Sequence, residues 1–229
     1  MASRPNYELI IFDCDGVLVD SEVLSCHCLT NMLRQHEIEA DLDFVFETFL
    51  GKSVSAVTNY YRAHGRTMRE DFPVELRALV RHSFANSLQA IPDVANLLRG
   101  LDLSFCVASS SDLERIKFSL ELTGLASLFA GKMFSAQMVR RGKPAPDLFL
   151  HAASSMGADP RHVLVIEDSV SGVEAGKAAG MTVWGFVGGS HYVRRDGAAM
   201  LKAAGAERVF ARMSDFHLHR REAKHGRIR

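Results

Sequence analysis

Apolar and polar positions alternate in blocks along this chain. Tyr7–Asp13, carrying Leu9-Ile10-Ile11-Phe12, reads as a first strand. So do Leu103–Ala108, Val163–Ile166 and Met181–Val187, with a shorter strand at Lys132–Ser135. Continuous runs of β-branched and aromatic residues at this length mark strands buried on both faces. Helical spacing fills most of the rest: Ser21–His36, Phe44–Leu50, Val54–His64, Pro73–Leu88, Asp93–Leu101, Leu113–Leu122, Pro146–Met156 and Ser171–Ala179. Ser21 stands near the first helix start with Glu22 in its first turn, Pro146 opens another helix, and Gly124 and Gly180 close two more.

The order of these elements sets the fold class. From residue 90 onward strand and helix alternate, which predicts a parallel sheet with helices on both faces. Between the first strand and about residue 89 the chain carries helices alone. The expectation is an α/β protein with a Rossmann-like three-layer core and an inserted helical domain. The expected bounds are residues 1–19 and 88–216 for the core, 20–87 for the helical insertion and 217–229 for a basic tail.

Composition narrows the classes of function. Lys plus Arg equals Asp plus Glu, 27 of each, so no overall field favours nucleic acid or an anionic membrane. No apolar run approaches the roughly 18 residues of a membrane span, and no signal-peptide pattern precedes the first strand. Cys14, Cys26, Cys28 and Cys106 follow no disulfide-scaffold spacing and read as reduced thiols. Cys26-His27-Cys28 is a poor metal site, because residues two apart on a helix face different ways. A cytoplasmic monomer that binds neither nucleic acid nor membrane is expected.

Three predicted strands end in polar clusters: Asp13/Asp15, Ser109/Ser110/Ser111 and Glu167/Asp168. In open α/β sheets ligands bind beyond the carboxyl ends of the strands. If these strands are neighbours, acids and hydroxyls meet in one crevice. Clustered carboxylates without Cys or His suit a hard cation, most simply Mg²⁺. The serines suit an anion such as phosphate. Lys143, between Gly142 and Pro144 just before a helix, offers the balancing positive charge. Taken singly, each of these is also an ordinary turn residue or a solvated lysine.

Four motifs in order resemble the haloacid dehalogenase superfamily of aspartate-nucleophile phosphotransferases. They are Asp13-Cys14-Asp15-Gly16-Val17, Ala108-Ser109-Ser110, Lys143-Pro144 and Glu167-Asp168-Ser169. The extensions Val19-Asp20-Ser21-Glu22, Phe134-Ser135, Lys143–Asp147 and Gly172–Met181 are similar to the branch containing β-phosphoglucomutase and small sugar-phosphate phosphatases. The resemblance implies Asp13 as nucleophile, Asp15 as general acid and base, and Ser109 and Ser110 on the phosphoryl oxygens. It implies Lys143 bridging Asp13 and the phosphate. Mg²⁺ would sit on Asp13, Asp168 and the Asp15 carbonyl, with Glu167 a ligand or the partner of one. The helical insertion then corresponds to that branch's mobile cap.

Departures from the branch pattern favour hydrolysis over phosphoryl transfer between sugars. Ser25 stands where the mutase pattern has a cap histidine, and Val54 where it has a cap arginine. Lys52, on the cap turn, is a candidate contact for an anionic sugar acid. The expected substrates are small phosphorylated metabolites, sugar phosphates and 6-phosphogluconate among them. A β-phosphoglucomutase-type transferase and a non-catalytic metabolite-binding module are the alternatives. Dehalogenation fits poorly, because Asp15 and Glu167-Asp168 suit phosphoryl chemistry.

Overall fold

The computed structural model describes residues 7–193 and 195–216. Six strands form one parallel sheet: β1 (Leu9–Phe12), β2 (Ser104–Ser109), β3 (Met133–Ser135), β4 (Val163–Glu167), β5 (Thr182–Phe186) and β6 (Arg208–Phe210). Their order across the sheet is β3-β2-β1-β4-β5-β6. The chain therefore runs outward from β1 to β3, then returns to place β4 on the other side of β1. That reversal opens a crevice at the carboxyl ends of β1 and β4.

The first strand is central and anchored on both flanks. Leu9 pairs with Ser104 of β2 and with Val163 of β4. All four β1 side chains are buried, each contributing about 1.5–3 kcal/mol through removal from water. Their alternation feeds two cores. Leu9 and Ile11 join Phe149, Ala152 and Val173, on α7 (Asp147–Ser155) and α8 (Val170–Ala178). Ile10 and Phe12 face the opposite layer, which holds α5 (Val94–Arg99) and α6 (Leu113–Leu122). This is the expected three-layer Rossmann-like arrangement.

Four helices fill the insertion: α1 (Glu22–Gln35), α2 (Leu42–Phe49), α3 (Val54–Ala63) and α4 (Phe72–Ser87). Leu33, Val45, Val57 and Phe84 bury their side chains in an apolar cluster continuous with that of Ile10 and Phe12. The two connections to the sheet lie side by side. The Asp20 N–H donates to the Gln89 carbonyl at 2.9 Å, and the Ile91 N–H to the Leu18 carbonyl at 3.0 Å.

Two elements escape the sequence pattern. β6 has three residues, too few to show a period, and α9 (Gly197–Ala203) is a short run rich in alanine and glycine. The four cysteines are buried free thiols, as expected, and His27 is exposed between Cys26 and Cys28. Among the described residues no helix is long and apolar enough to cross a membrane. The basic tail expected at 217–229 lies outside the described residues.

Candidate active site

The crevice gathers most of the polar groups that the sequence singled out. Asp13 follows β1 directly, its N–H still donating to the Ile166 carbonyl of β4 at 2.9 Å. The chain then turns on Gly16, whose φ of +77° is open to glycine and strained for other residues. A Cβ there would also lie 1.8 Å from Asp168 Oδ2, so the Asp168 carboxylate rests directly on the Gly16 backbone.

Lys143 is the hub of the acidic cluster. Its Nζ donates to Asp13 Oδ1 at 2.5 Å, Glu167 Oε1 at 2.6 Å and the Ala108 carbonyl at 3.2 Å. The lysine side chain is only 3 % exposed, yet burial fails to discharge it: Asp13 and Glu167 more than offset the desolvation and raise its pKa. The Lys143-Pro144 peptide bond is cis, and α7 starts three residues later.

Glu167 has both oxygens engaged. Oε2 accepts from the Ser169 N–H and hydroxyl, each at 2.9 Å, and Ser169 Oγ in turn caps α8 through the Gly172 N–H. Gly172 is required for this approach, since a Cβ would stand 1.8 Å from Glu167 Oε1. The geometry thus turns Glu167 toward Lys143 and the helix cap.

Asp15 occupies a separate nest of donors. Oδ1 accepts from Ser21 Oγ at 2.6 Å and an Arg115 guanidinium nitrogen at 2.8 Å. Oδ2 accepts from Ser111 Oγ at 2.6 Å and Ser109 Oγ at 3.4 Å. Burial alone would raise its pKa, but the Arg115 charge and the hydroxyl donors outweigh burial and hold it down at about 2. Asp13 and Asp168 lie the other way. Burial, with the crowding of neighbouring carboxylates, pushes both well above the ordinary range, despite the pull of Lys143.

That imbalance bears on a metal. Asp13, Asp15, Glu167 and Asp168 face the fixed charges of Lys143 and Arg115, leaving buried negative charge in excess. The available donors are carboxylate and backbone oxygens, which suit a hard cation. Among the described residues no three His, Cys, Asp or Glu side chains close round one point. Mg²⁺ tolerates this, because it keeps several waters and uses one or two carboxylates. The residues present therefore fit Mg²⁺.

The remaining candidates are spread around this centre. Ser109 ends β2 and accepts from the Ser111 N–H at 3.1 Å, while Ser110 is exposed. Ser25 on α1 accepts from Arg115 at 3.1 Å, so it borders the Asp15 nest. Lys52 is exposed on the turn between α2 and α3, and its ammonium has no partner among the described residues. The same turn is tied inward: the Gly51 N–H donates to Glu22 Oε2 at 3.1 Å. Glu22 is buried, and desolvation together with Asp15 and Asp168 raises its pKa to about 7.

Sequence reasoning left Arg115, Glu22, His191 and Tyr192 without a role. For Arg115 a signal existed. Asp112 caps α6 by accepting from the Arg115 N–H at 2.8 Å, which fixes residue 115 in the first turn beyond β2. His191 and Tyr192 follow β5 and carried no motif.

Comparison with known proteins agrees with the fold class. The family described as haloacid dehalogenase-like hydrolase matches residues 10–186. The chain is 32% identical over 186 residues to a 6-phosphogluconate phosphatase of Escherichia coli (strain K12), covering 80% of this chain and 84% of that one. A solved haloacid dehalogenase-like protein of Agrobacterium tumefaciens str. C58 superposes with a TM-score of 0.79 at 34% identity, covering 91% of this chain and 95% of the other. A family hydrolase from Deinococcus radiodurans R1, solved with bound phosphate and sodium, gives a TM-score of 0.73 at 33% identity, covering 92% and 93%.

Proposed function

This chain belongs to the haloacid dehalogenase-like hydrolases, and within that family we propose a Mg²⁺-dependent phosphatase of small phosphorylated metabolites. Its substrates are sugar phosphates, 6-phosphogluconate among them, and it works as a cytoplasmic monomer. The reaction runs through an aspartyl-phosphate on Asp13. The observation that carries this reading is Lys143, buried between Asp13 and Glu167 at 2.5 and 2.6 Å at the crevice of the sheet.

Each residue has a distinct task. Lys143 holds Asp13 through Oδ1, which leaves Oδ2 as the oxygen that attacks phosphorus. The P–O bond to the leaving alkoxide breaks as the bond to Asp13 forms, and Asp15 supplies the alkoxide's proton. Asp15 then takes a proton from water. The water oxygen attacks phosphorus and releases inorganic phosphate and the Asp13 carboxylate. In the geometry described, Asp15 is ionised and held by Arg115, so acting as the acid requires it to leave Arg115 and take up a proton from solvent before the leaving oxygen departs. Ser109 and the Ser110 backbone orient the phosphoryl oxygens.

Asp13, Asp168 and the Asp15 carbonyl would hold Mg²⁺, whose charge lets a carboxylate approach a phosphate dianion. Glu167 serves by holding Lys143. Helices α1–α4 form a cap that covers the crevice, with residues 18–20 and 89–91 as its paired hinge. Lys52, on the turn tied to Glu22, meets the anionic end of a sugar acid. Ser25 and Val54 supply neither the histidine nor the arginine of the mutase pattern, which favours water as the acceptor.

Steady-state hydrolysis of a phosphate-ester panel, with and without EDTA, tests this reading in the wild type and Asp13→Asn. Turnover is expected for sugar phosphates, lost with EDTA and in the variant. Undiminished turnover by Asp13→Asn would sink the nucleophile assignment. Efficient conversion of β-glucose 1-phosphate to glucose 6-phosphate, primed with the 1,6-bisphosphate, would favour the mutase instead.

A further inference from the structure

The short turn Ser190–Tyr192, just beyond β5, is fastened in two places that the proposed chemistry leaves unexplained. Ser190 donates its N–H (3.0 Å) and its hydroxyl (2.8 Å) to Asp20 Oδ1, at the hinge into the helical insertion. The Tyr192 hydroxyl donates to the backbone carbonyl of Asp168. His191 is driven inward between them. Its side chain is 1 % exposed, and its Nε2 lies 3.1 Å from Asp168 Oδ2.

Burying this ring is costly. Its Nδ1 is sealed from solvent and has no hydrogen-bond partner among the described residues, so its desolvation is left uncompensated. A purely structural site of this size would be filled more cheaply by an apolar side chain. The arrangement does, however, fix one carboxylate. Asp168 Oδ2 is confined by the Gly16 backbone and by His191, so the side chain has little freedom to rotate. Oδ1 makes no hydrogen bond among the described residues.

Resting on the reading of Asp168 as a cation ligand, we propose that His191 is a positioning residue for that ligand. Its Nε2–H donates to Oδ2 and keeps Oδ1 presented to the cation. The 3.1 Å separation is within hydrogen-bond distance. Partners that orient a ligating carboxylate typically set ten- to a hundredfold of metal affinity. Tyr192 and Ser190 hold the turn in register, one on the ligand's own backbone and one on the hinge.

The test compares wild type, His191→Gln and His191→Leu as full chains. Glutamine returns a donor at the reach of Nε2, whereas leucine fills the space without one. Mn²⁺ binding is read directly by electron paramagnetic resonance, alongside the Mg²⁺ concentration giving half-maximal turnover. In the leucine variant both values are expected to rise about tenfold or more. Its turnover at saturating Mg²⁺ is expected to stay within about twofold of wild type. The glutamine variant should bind within about threefold of wild type. Equal affinity in leucine variant and wild type overturns the proposal, as does equal weakening by both substitutions, which marks a packing effect. Thermal unfolding checks that each variant is folded, and His191→Asn, too short to reach Oδ2, stands in if leucine is not tolerated. Absence of Mn²⁺ binding by wild type overturns the cation reading of Asp168 itself, and this inference with it.

Discussion

Arg115 reaches from the first turn of α6 to the Asp15 carboxylate at 2.8 Å while its guanidinium lies 4.9 Å from the Phe84 ring centroid on α4. It thereby ties the proposed acid/base of the sheet to a helix of the insertion. The pair also makes a statement about stability. Asp15 has a folded pKa of about 2, below its ordinary 3.8, so its stabilising contribution is present above about pH 4 and disappears as pH falls through about 2. The shift corresponds to about 2 kcal/mol. Arg115→Met is expected to lose about that amount at pH 7 in urea unfolding, with the gap to wild type narrowing below pH 4. A gap independent of pH would show that Arg115 acts by packing alone.

Removing Lys143 should strand two buried carboxylates. For Lys143→Met we expect turnover to fall on the order of 10²–10³-fold and stability at neutral pH to fall by about 3 kcal/mol. Part of that stability returns as pH is lowered, because Asp13 can then take up a proton. Lys143→Arg is expected to be no better, since the slot that leaves lysine 3 % exposed has no space for a planar fork. Parallel ester assays and urea titrations at two pH values distinguish the charge loss from a general failure to fold.

Gly172→Ala reverses an ordinary rule. Alanine within a helix is normally worth up to about 1 kcal/mol over glycine. Here the added methyl would meet the Glu167 carboxylate at 1.8–2.4 Å. The variant is expected to lose about 1–3 kcal/mol and to lose turnover as Glu167 is pushed off Lys143. A more stable, fully active Gly172→Ala protein would show that Glu167 has freedom to move.

Added Mg²⁺ should stabilise the protein in a pH-dependent way. Asp13 and Asp168 have raised folded pKa values, so the folded state binds more protons than the unfolded chain and loses stability as pH rises above about 4. A cation competes with those protons. The rise in melting temperature with Mg²⁺ is therefore expected to be larger at pH 7.5 than at pH 5.5, and EDTA should abolish it. Differential scanning fluorimetry with a Mg²⁺ titration reads this directly, and an equal rise at both values would contradict it.

Much of this layout is legible in the sequence because strand ends are chemically marked. Asp13, Ser109 and Glu167-Asp168 each close an apolar run, and a parallel sheet must bring such ends to one edge. Lys143 was findable for a different reason: it sits between Gly142 and Pro144 before a helix, where a solvated lysine needs no such restraint. Arg115 carried only the indirect mark of the Asp112 helix cap, and His191 carried none. Each acts across the fold, 100 residues from Asp15 in one case and 23 from Asp168 in the other, and each stands among residues of ordinary loop or helix composition. β6 was opaque as well: its three residues cannot display a period, and unlike the equally short β3 it lies next to no recognised motif.

The central place of β1 has a consequence for how the protein is made. In the order of synthesis this strand precedes its partners: Val163, the β4 partner of Leu9, follows about 150 residues later. At about 5–20 residues per second, this apolar segment waits roughly 8–30 s for its second flank. During that interval Leu9-Ile10-Ile11-Phe12 is a sticky tetrapeptide with an open hydrogen-bonding edge. Yield in the cell therefore depends on what shelters that segment during synthesis, and slowed translation or scarce chaperone should send this chain into inclusion bodies before any weakness of the finished fold is felt.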